Sequence, residues 1–451
     1  MPKQDLKIFK MPQEPAITTR PTLRGLLGQY PIQTRIFREL GTRSIINLCQ
    51  TSYGMRADIR AYLWDINEKL ERFFENPRAF RAELGRVDGL ISGSFALQFF
   101  ACTYWPESDL DLNIREGEGV EEMTDYLIER EGYTFSTDKD IEAIRYTEMA
   151  AYGTFAEVSR VITFYKGKNR SNSRDERKVQ IIATKRQPVK AILNGYYTTC
   201  IMNFISWNKA YCIFPRATLL FHETVPLTEP SDSNVALHRK YSRRGYRIRT
   251  APVYVGHDTN SHDPGAMFHM PQNARHRRKP FRSYPLGHHA PGDRFIGGPD
   301  TWTMPLGTAG VQRPEKPDSV LECSSFEICG TKTQANNGDG GGISLRAGLF
   351  VSPSLKYEYT CGNRHPYWAR VGYMLQRNTL GQLKTKFKAL DLEDLLESQA
   401  NRMIWGMDFE KPDGWYVNCV SLRRKEFNAF FLLPEREDMD GNKCRHNECI
   451  L

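Results

Sequence analysis

Two aspartates, Asp109 and Asp111, have the residue type and spacing that metal-dependent chemistry requires. They close the segment GLISGSFALQFFACTYWPESDLDLNI, residues 89–114. Side chains two positions apart on a β-strand share a face, so both carboxylates would lie on one side of a sheet while Leu110 and Leu112 point into the core. Nucleotidyl transfer uses such a pair to hold Mg²⁺ ions that bridge a triphosphate and an attacking hydroxyl. Asp109 and Asp111 are therefore candidate catalytic and metal-binding residues.

Upstream of the aspartates, Gly93 and Ser94 are candidates for phosphate binding. Glycine lets the backbone approach a ligand closely, and Ser94 at the start of the FALQFF helix would present a hydroxyl and amide donors to phosphate oxygens. Taken alone, an Asp-x-Asp pair is usually a strand end or turn, and a Gly-Ser pair is commonly a helix N-cap. The structural alternative therefore stays open for each motif by itself.

Several short segments around these residues have the periodicity of one mixed domain. VDGLISGS and SDLDLNI alternate like strands, and GVEEMTDYLIEREG is typical of a helix that ends at Gly132. RVITFYKG and KVQIIATK have the composition of two further strands, and a helix or helix pair is predicted after Pro188. We therefore expect strands and helices to combine in one α/β unit between about residues 88 and 225.

The order of strand, Gly-Ser, helix, Pro-Glu-Ser turn and Asp-x-Asp strand resembles the nucleotidyltransferase-fold superfamily, which includes DNA polymerase beta and the CCA-adding enzymes. The resemblance implies a nucleoside triphosphate and Mg²⁺ as ligands. The segment TTCIMNFISWN (198–208) is similar to a helix of CCA-adding enzymes, and there Asn203 matches a family asparagine and becomes a third candidate nucleotide-binding residue. Thr198 and Thr199, however, stand where that family has an Arg-Asp pair.

Active members of the superfamily usually add a third carboxylate on a neighbouring strand, which helps to hold the catalytic metal and to activate the hydroxyl. The matching strand KVQIIATK offers Gln180, and an amide cannot act as a base. Glu157 is the nearest alternative carboxylate in sequence. Two functions follow: nucleotide binding with transfer to a hydroxyl acceptor, or an inactive fold that serves as a recognition scaffold.

The N-terminal residues suggest a protein partner. LLGQYPIQTRIFRELGTRSIINLCQTSYGMR resembles an F-box, and three further blocks resemble a family of fungal proteins in which an F-box-like segment precedes this domain: AFRAELGRVDGLISGSFALQFF, WPESDLDLNI and FPRATL. The resemblance implies that residues 26–64 dock on a Skp-type adaptor. The alternative is that their apolar residues pack against helices of the same chain.

We expect an α+β chain with five parts. Residues 1–23 form a flexible tail, and residues 24–65 form the F-box-like helical segment. Residues 66–225 form the nucleotidyltransferase-like domain, a mixed sheet with flanking helices. The range 226–342 is rich in Pro, Gly, His and Arg and is predicted to be a long irregular linker, and a small α+β region follows at 343–451.

Charge and cysteine use favour an intracellular protein with anionic partners. The chain has 451 residues, with 62 Lys and Arg against 53 Asp and Glu, which gives a net charge of +9. A basic segment at 239–249 contains Tyr241 and Tyr246 and suits RNA phosphates and bases, although a solvated basic surface is the simpler interpretation. RHRRKPFR (275–282) has the composition of a nuclear address or a linker. The cysteines are unclustered and no secretory or membrane segment is evident, so we expect a cytoplasmic or nuclear location.

Overall fold

The computed structural model describes residues 25, 30–140, 157–167, 177–228, 232–249, 289, 292–332, 341–350 and 357–362. The chain divides into two compact units, Met1–Ala61 and Tyr62–Leu451. The predicted tail at 1–23, the basic run at 275–282 and most of 343–451 lie outside the described residues. No helix in the described part of the chain is long and apolar enough to cross a membrane.

Three helices form most of the described part of the first unit, and they match the helices expected for this segment. They are α1 (Tyr30–Glu39), α2 (Thr42–Cys49) and α3 (Tyr53–Leu63), which continues across the division between the units. Phe37, Ile45 and Ile46 are buried, while Ile32 is 39% exposed. The apolar spacing therefore marks real amphipathic helices, and the Skp-type partner remains a prediction.

The second unit begins with two short helices whose ends are set by local side chains. These are α4 (Ile66–Leu70) and α5 (Pro77–Arg86). The side chain of Asn76 accepts a hydrogen bond from the backbone of Ala79, and Pro77 occupies the first turn, where its missing N–H costs nothing. Asn76 and Pro77 therefore define the start of α5.

The remaining elements alternate strands and helices. The later helices are α6 (Gly93–Ala101), α7 (Glu118–Asp125), α8 (Pro188–Gly195), α9 (Asp232–Arg243) and α10 (Ser319–Glu322), with a 3₁₀ turn at Thr199–Ile201 and π-helical turns at Tyr126–Arg130 and Arg216–Leu220. The strands are β1 (Leu90–Ser92), β2 (Leu110–Arg115), β3 (Thr134–Asp140), β4 (Val158–Lys166), β5 (Arg177–Thr184), β6 (Asn203–Ile205), β7 (Lys209–Cys212), β8 (Glu223–Thr224), β9 (Arg247–Ile248), β10 (Gly292–Phe295), β11 (Trp302–Pro305), β12 (Ser325–Lys332), β13 (Gly341–Arg346), β14 (Gly348–Phe350) and β15 (Tyr359–Cys361).

A large mixed sheet organises the second unit. Eight strands follow the order β11-β7-β6-β1-β2-β5-β4-β3. At its centre β1 is antiparallel to β2, β2 is parallel to β5, and β5 is antiparallel to β4. Leu110, Leu112 and Ile114 on one face of β2 are fully buried, as the alternation predicts. The expectation of a mixed sheet with flanking helices is confirmed at this level.

Two expectations about the later chain are wrong. The predicted linker at 226–342 contains α9, α10, the four strands β9 to β12 and the start of β13 in its described parts, and β11 pairs with β7 at the edge of the large sheet. Strands of four residues that include proline or glycine give too little periodicity to be recognised in sequence. The segment 198–208, predicted to be a helix, is a 3₁₀ turn followed by β6. The hydroxyl groups of Thr198 and Thr199 bond with that of Thr224, and side-chain bonds of this kind compete with helix formation.

Candidate functional site

The junction between β1 and α6 brings Gly93 against Asp111. Gly93 has φ +68°, in the left-handed region that favours glycine, and a Cβ atom at this position would collide with Oδ2 of Asp111. The carboxylate of Asp111 therefore lies directly against the backbone at the start of α6. Of the residues expected to form the site, this pair is the one that the structure places in direct contact.

The position of Asp111 in the sheet determines its neighbours. It stands opposite Ser92 on β1 and opposite Gln180 on β5. The residue retains some solvent exposure, yet burial of its carboxyl group, together with the nearby charge of Asp109, raises the pKa to about 8. The charges of Lys178 and Lys240 act in the opposite direction. Asp111 is thus an acid whose ionisation the surroundings disfavour.

Asp109 is paired with a lysine. Nζ of Lys178 donates a hydrogen bond to Oδ2 of Asp109 at 3.1 Å. Val179 on β5 is the register partner of Leu110 on β2. Lys178 and Asp109 each precede these residues by one position, so the ammonium group reaches Asp109 from the adjacent strand. One lysine therefore lies beside the two predicted carboxylates, and the sequence analysis missed it although it lies two positions before Gln180 in KVQIIATK.

Ser94 has a structural partner. Its hydroxyl oxygen lies 3.0 Å from that of Ser108, which also accepts a hydrogen bond from Nε2 of Gln98 at 2.6 Å. The guanidinium of Arg72 donates to the backbone carbonyls of Trp105 and Ser108 at 3.1 and 2.6 Å. These contacts hold the loop between α6 and β2 in place. Ser94 thus positions Asp109 through the loop, and its role toward a phosphate remains a prediction.

A buried tyrosine links both strands of the site and was not anticipated. The hydroxyl of Tyr196 is hydrogen-bonded to that of Ser92, which also accepts a bond from the side-chain amide of Asn113. Burial raises the pKa of Tyr196 well above its ordinary value, and hydrogen bonds from Ser92, Asn113 and the Gly93 backbone oppose that shift. Tyr196 therefore stabilises the turn at Gly93 through its hydrogen bond with Ser92. Its raised pKa keeps the hydroxyl protonated.

Asn203, the third predicted nucleotide-binding residue, lies on β6, which pairs with β1 through Ile205 and Ile91. It is fully buried, and its amide group donates to the carbonyl of Cys200 at 2.7 Å. Oδ1 is buried without a hydrogen-bond partner among the described residues. The residue is close to the site through the sheet, but no described contact joins it to Asp109 or Asp111.

The β5 residue opposite Asp111, where the resemblance in sequence implies a third carboxylate for an active enzyme, is an amide. Gln180 is the register partner of Asp111, and its Nε2 donates to the hydroxyl of Thr163 at 3.2 Å. Glu157 does not replace it, because it precedes the β4 residue that pairs with Thr184, about 13 Å along β5 from Gln180 at about 3.3 Å per residue. There Glu157 forms an ion pair with Lys190 at 2.8 Å.

The donor set fits one Mg²⁺ held together with a ligand. No group of three or more His, Cys, Asp or Glu residues suited to a metal occurs among the residues that the structure describes. Mg²⁺ is commonly bound by one or two carboxylates, with phosphate oxygens and water completing an octahedron. Asp109 and Asp111 could supply the carboxylates. In the ionised state they would hold the ion, and the ion would neutralise charge on a triphosphate.

The basic segment is only partly available to nucleic acid. Arg239, Lys240 and Arg243 are exposed on α9, whereas Tyr241 and Tyr246 are buried. The two tyrosines therefore cannot stack on bases in this conformation, contrary to the expectation. The other arginines have protein partners: Arg244 stacks on Trp105 and pairs with Glu107, and Arg247 and Arg249 pair with Glu223.

A groove of about 1000 Å³ lies elsewhere, lined by α5 and residues 310–316. Several of its charged residues form ion pairs: Lys316 pairs with Asp88, and Arg86 pairs with Glu83 and Glu122. Asp88 and Glu83 thus each have a bonded cation, which Asp111 lacks among the described contacts.

Comparisons of the chain with protein-family models, with curated proteins and with solved structures found no match. Function therefore has to be inferred from the residues and their geometry.

Proposed function

We propose that the chain binds a nucleoside triphosphate together with Mg²⁺ at the junction of β1, α6 and β2. The observation that carries this proposal is the contact of the Asp111 carboxylate with the Gly93 backbone, next to Asp109. A cation held by the two aspartates would lie beside the first backbone amides of α6, where phosphate oxygens are stabilised by the helix dipole. The Mg²⁺ ion and the triphosphate would thus be bound next to each other.

The strand arrangement supports a relationship to the nucleotidyltransferase-fold superfamily. A strand, a Gly-Ser turn, a helix and an antiparallel strand with two aspartates follow one another, and a parallel strand lies next to the second aspartate. This is the order on which the resemblance in sequence depends. In an active relative, the hydroxyl of an acceptor would attack the α-phosphorus and pyrophosphate would leave.

Binding is favoured over transfer because the site lacks a base. Gln180 occupies the position next to Asp111 where a third carboxylate would help to deprotonate the acceptor. Asp109 is engaged by Lys178, and the raised pKa of Asp111 leaves it largely protonated at neutral pH in the absence of a cation. We therefore propose a nucleotide-binding protein with little or no transferase activity.

A second candidate function is that of a substrate adaptor whose sheet is only a recognition scaffold. The observation in its favour is the Lys178–Asp109 ion pair, which satisfies one of the two carboxylates without any metal. In that case α1 to α3 would dock on a Skp-type adaptor, and the exposed side chain of Ile32 is a first position for substitution. Mixing the purified chain with the adaptor tests this directly.

Isothermal titration with each common ribonucleoside triphosphate in the presence of Mg²⁺ tests the proposed function. We expect binding heat with at least one nucleotide, and loss of that heat in the double variant Asp109→Ala, Asp111→Ala. A matched control is Asp125→Ala with Glu129→Ala, because both residues are exposed on the helical segment after Gly117, outside the site. If no nucleotide gives binding heat, the proposal is rejected and the substrate-adaptor function remains as the candidate. Release of pyrophosphate would show that transfer also occurs.

A further inference from the structure

A lysine, Lys178, lies beside the two candidate metal-binding aspartates. Lys178 and Asp109 are joined at 3.1 Å, and their side chains keep 33% and 27% of their exposure. Lys178 and Gln180 lie two positions apart on β5 and therefore share one face of that strand. Asp109, just before β2, and Asp111, the register partner of Gln180, lie on the same face of the sheet. The ammonium group therefore belongs to the polar face on which a metal site would be built.

The charge at this face decides how many divalent cations it can hold. Two ionised aspartates contribute two negative charges, Lys178 cancels one, and Gln180 adds none. The exposed Lys240 on α9 adds a further positive charge near Asp111. Two-metal sites place their ions about 3.5–4 Å apart and rely on carboxylates shared between them. The ammonium group of Lys178 already lies 3.1 Å from the Asp109 carboxylate, so a second ion at that carboxylate would meet both repulsion and a missing ligand.

We propose that Lys178 is a built-in monovalent substitute for one of two divalent cations, so that the site holds one divalent cation for each bound nucleoside triphosphate. This inference depends on the proposed function, since the nucleotide supplies the remaining ligands. It assigns one role each to Lys178 and Gln180, which lie two positions apart on β5. Lys178 supplies positive charge, and Gln180 lacks the carboxylate that a second ion would need.

Equilibrium dialysis with Mn²⁺ and the α,β-methylene analogues of the common ribonucleoside triphosphates tests this stoichiometry. The analogues cannot be cleaved at the α-phosphorus, so metal and nucleotide are both counted in a static complex. For the wild-type chain we expect one bound Mn²⁺ per bound nucleotide. For the double variant Lys178→Met, Gln180→Glu we expect two, because the positive charge is removed and a third carboxylate is restored.

Two control variants test whether the effect is specific to position 178 and whether it depends on the positive charge there. Lys185→Met removes an exposed lysine just beyond the other end of β5 and should leave one Mn²⁺ per nucleotide. Lys178→Arg keeps the charge and should also leave one. Circular dichroism of each variant confirms folding before the count is made.

The outcomes distinguish the two proposals. A wild-type chain that binds no nucleotide overturns the proposed function and this inference with it. A wild-type chain that binds nucleotide with two Mn²⁺ overturns the inference alone. A double variant that is folded and binds nucleotide, but still counts one Mn²⁺, likewise shows that Lys178 does not hold the place of a cation.

Discussion

Carboxylates lie at both ends of the adjacent strands β2, β5 and β4, and the two ends differ in how those carboxylates are matched. Asp109 and Asp111 lie at the start of β2, and Glu116 and Glu157 lie at the end of β2 and the start of β4. At one end Lys178 is hydrogen-bonded to Asp109, while Asp111 feels the charges of Lys178 and Lys240 without a bond to either. At the other end each carboxylate has a cation of its own. Glu116 accepts hydrogen bonds from Arg160 at 2.8 and 3.1 Å, and Glu157 pairs with Lys190 at 2.8 Å.

The two ends therefore differ in what their carboxylates cost. A part-exposed pair such as Arg160 with Glu116 satisfies each charge at little cost to the sheet. A carboxylate that burial and a like charge both disfavour, such as Asp111, costs stability, and groups of this kind cluster at functional sites. The mismatch at the Asp109 end is what the proposed cation site would require.

Substitution of Gly93 should break the mismatched end most severely. Gly93→Ala requires an unfavourable left-handed conformation and drives a methyl group into the Asp111 carboxylate. We expect a loss of about 3 kcal/mol in the free energy of unfolding, measured by urea titration, together with loss of nucleotide binding. Gly307→Ala is the matched control, because a Cβ there has no neighbour within 4 Å. Equal effects of both substitutions would contradict the contact.

The pH dependence of cation binding should identify Asp111. Because burial raises its pKa to about 8, a cation must displace a proton below that pH. We expect Mn²⁺ affinity in the presence of nucleotide to rise about tenfold per pH unit between pH 6 and 8 and then to level off. Mn²⁺ paramagnetic resonance measures the affinity. A flat profile would show that Asp111 is already ionised in the free protein.

Neutralising one carboxylate at each end should change stability in opposite directions. Between about pH 4 and 8 folded Asp111 keeps a proton that the unfolded chain has released, so the free energy of unfolding falls across this range and the full cost is present above pH 8. Asp111→Asn should therefore raise the melting temperature at pH 8.5, by roughly 5 °C. Glu116→Gln, which weakens the Arg160 pair, should lower it. Scanning calorimetry at pH 8.5 and pH 5 checks both, and a destabilised Asp111→Asn at pH 8.5 would refute the cost assigned to this end.

The mismatched end was partly predictable from sequence. Alternation places Asp109 and Asp111 on one face, and the same alternation in KVQIIATK would have placed Lys178 beside Gln180 had the basic residue been considered. Tyr196 could not be found this way, because its contact with Ser92 joins residues 104 positions apart. Such a contact depends on how α8 packs under β1, which no local pattern encodes.

Two other differences come from short elements and local hydroxyls. Asn203 was expected on a helix, but the preceding threonines satisfy their hydroxyl groups with Thr224, and β6 then pairs with β1. The strand β11 contains Pro305 at the sheet edge, where a missing N–H is tolerated, so composition alone made it resemble linker. In both places tertiary pairing overrides a weak local preference.

The smallest effect should come from removing one cation at each end, and it isolates the contribution of Asp111. Arg160 and Glu116 have side-chain exposures of 27% and 35%, close to the 33% and 27% of Lys178 and Asp109, so screening by solvent is comparable. Arg160→Met should cost about 0.5–1 kcal/mol, because Glu116 keeps the hydroxyl of Ser159 as a partner. Lys178→Met should cost more, since two like charges lose their shared counter-charge. Urea unfolding at pH 8.5 in 0.05 M and 1 M salt measures both, and salt should shrink the difference. Equal costs at low salt would mean that Asp111 does not share the lysine, and the contrast between the two ends would then reduce to one ordinary surface pair.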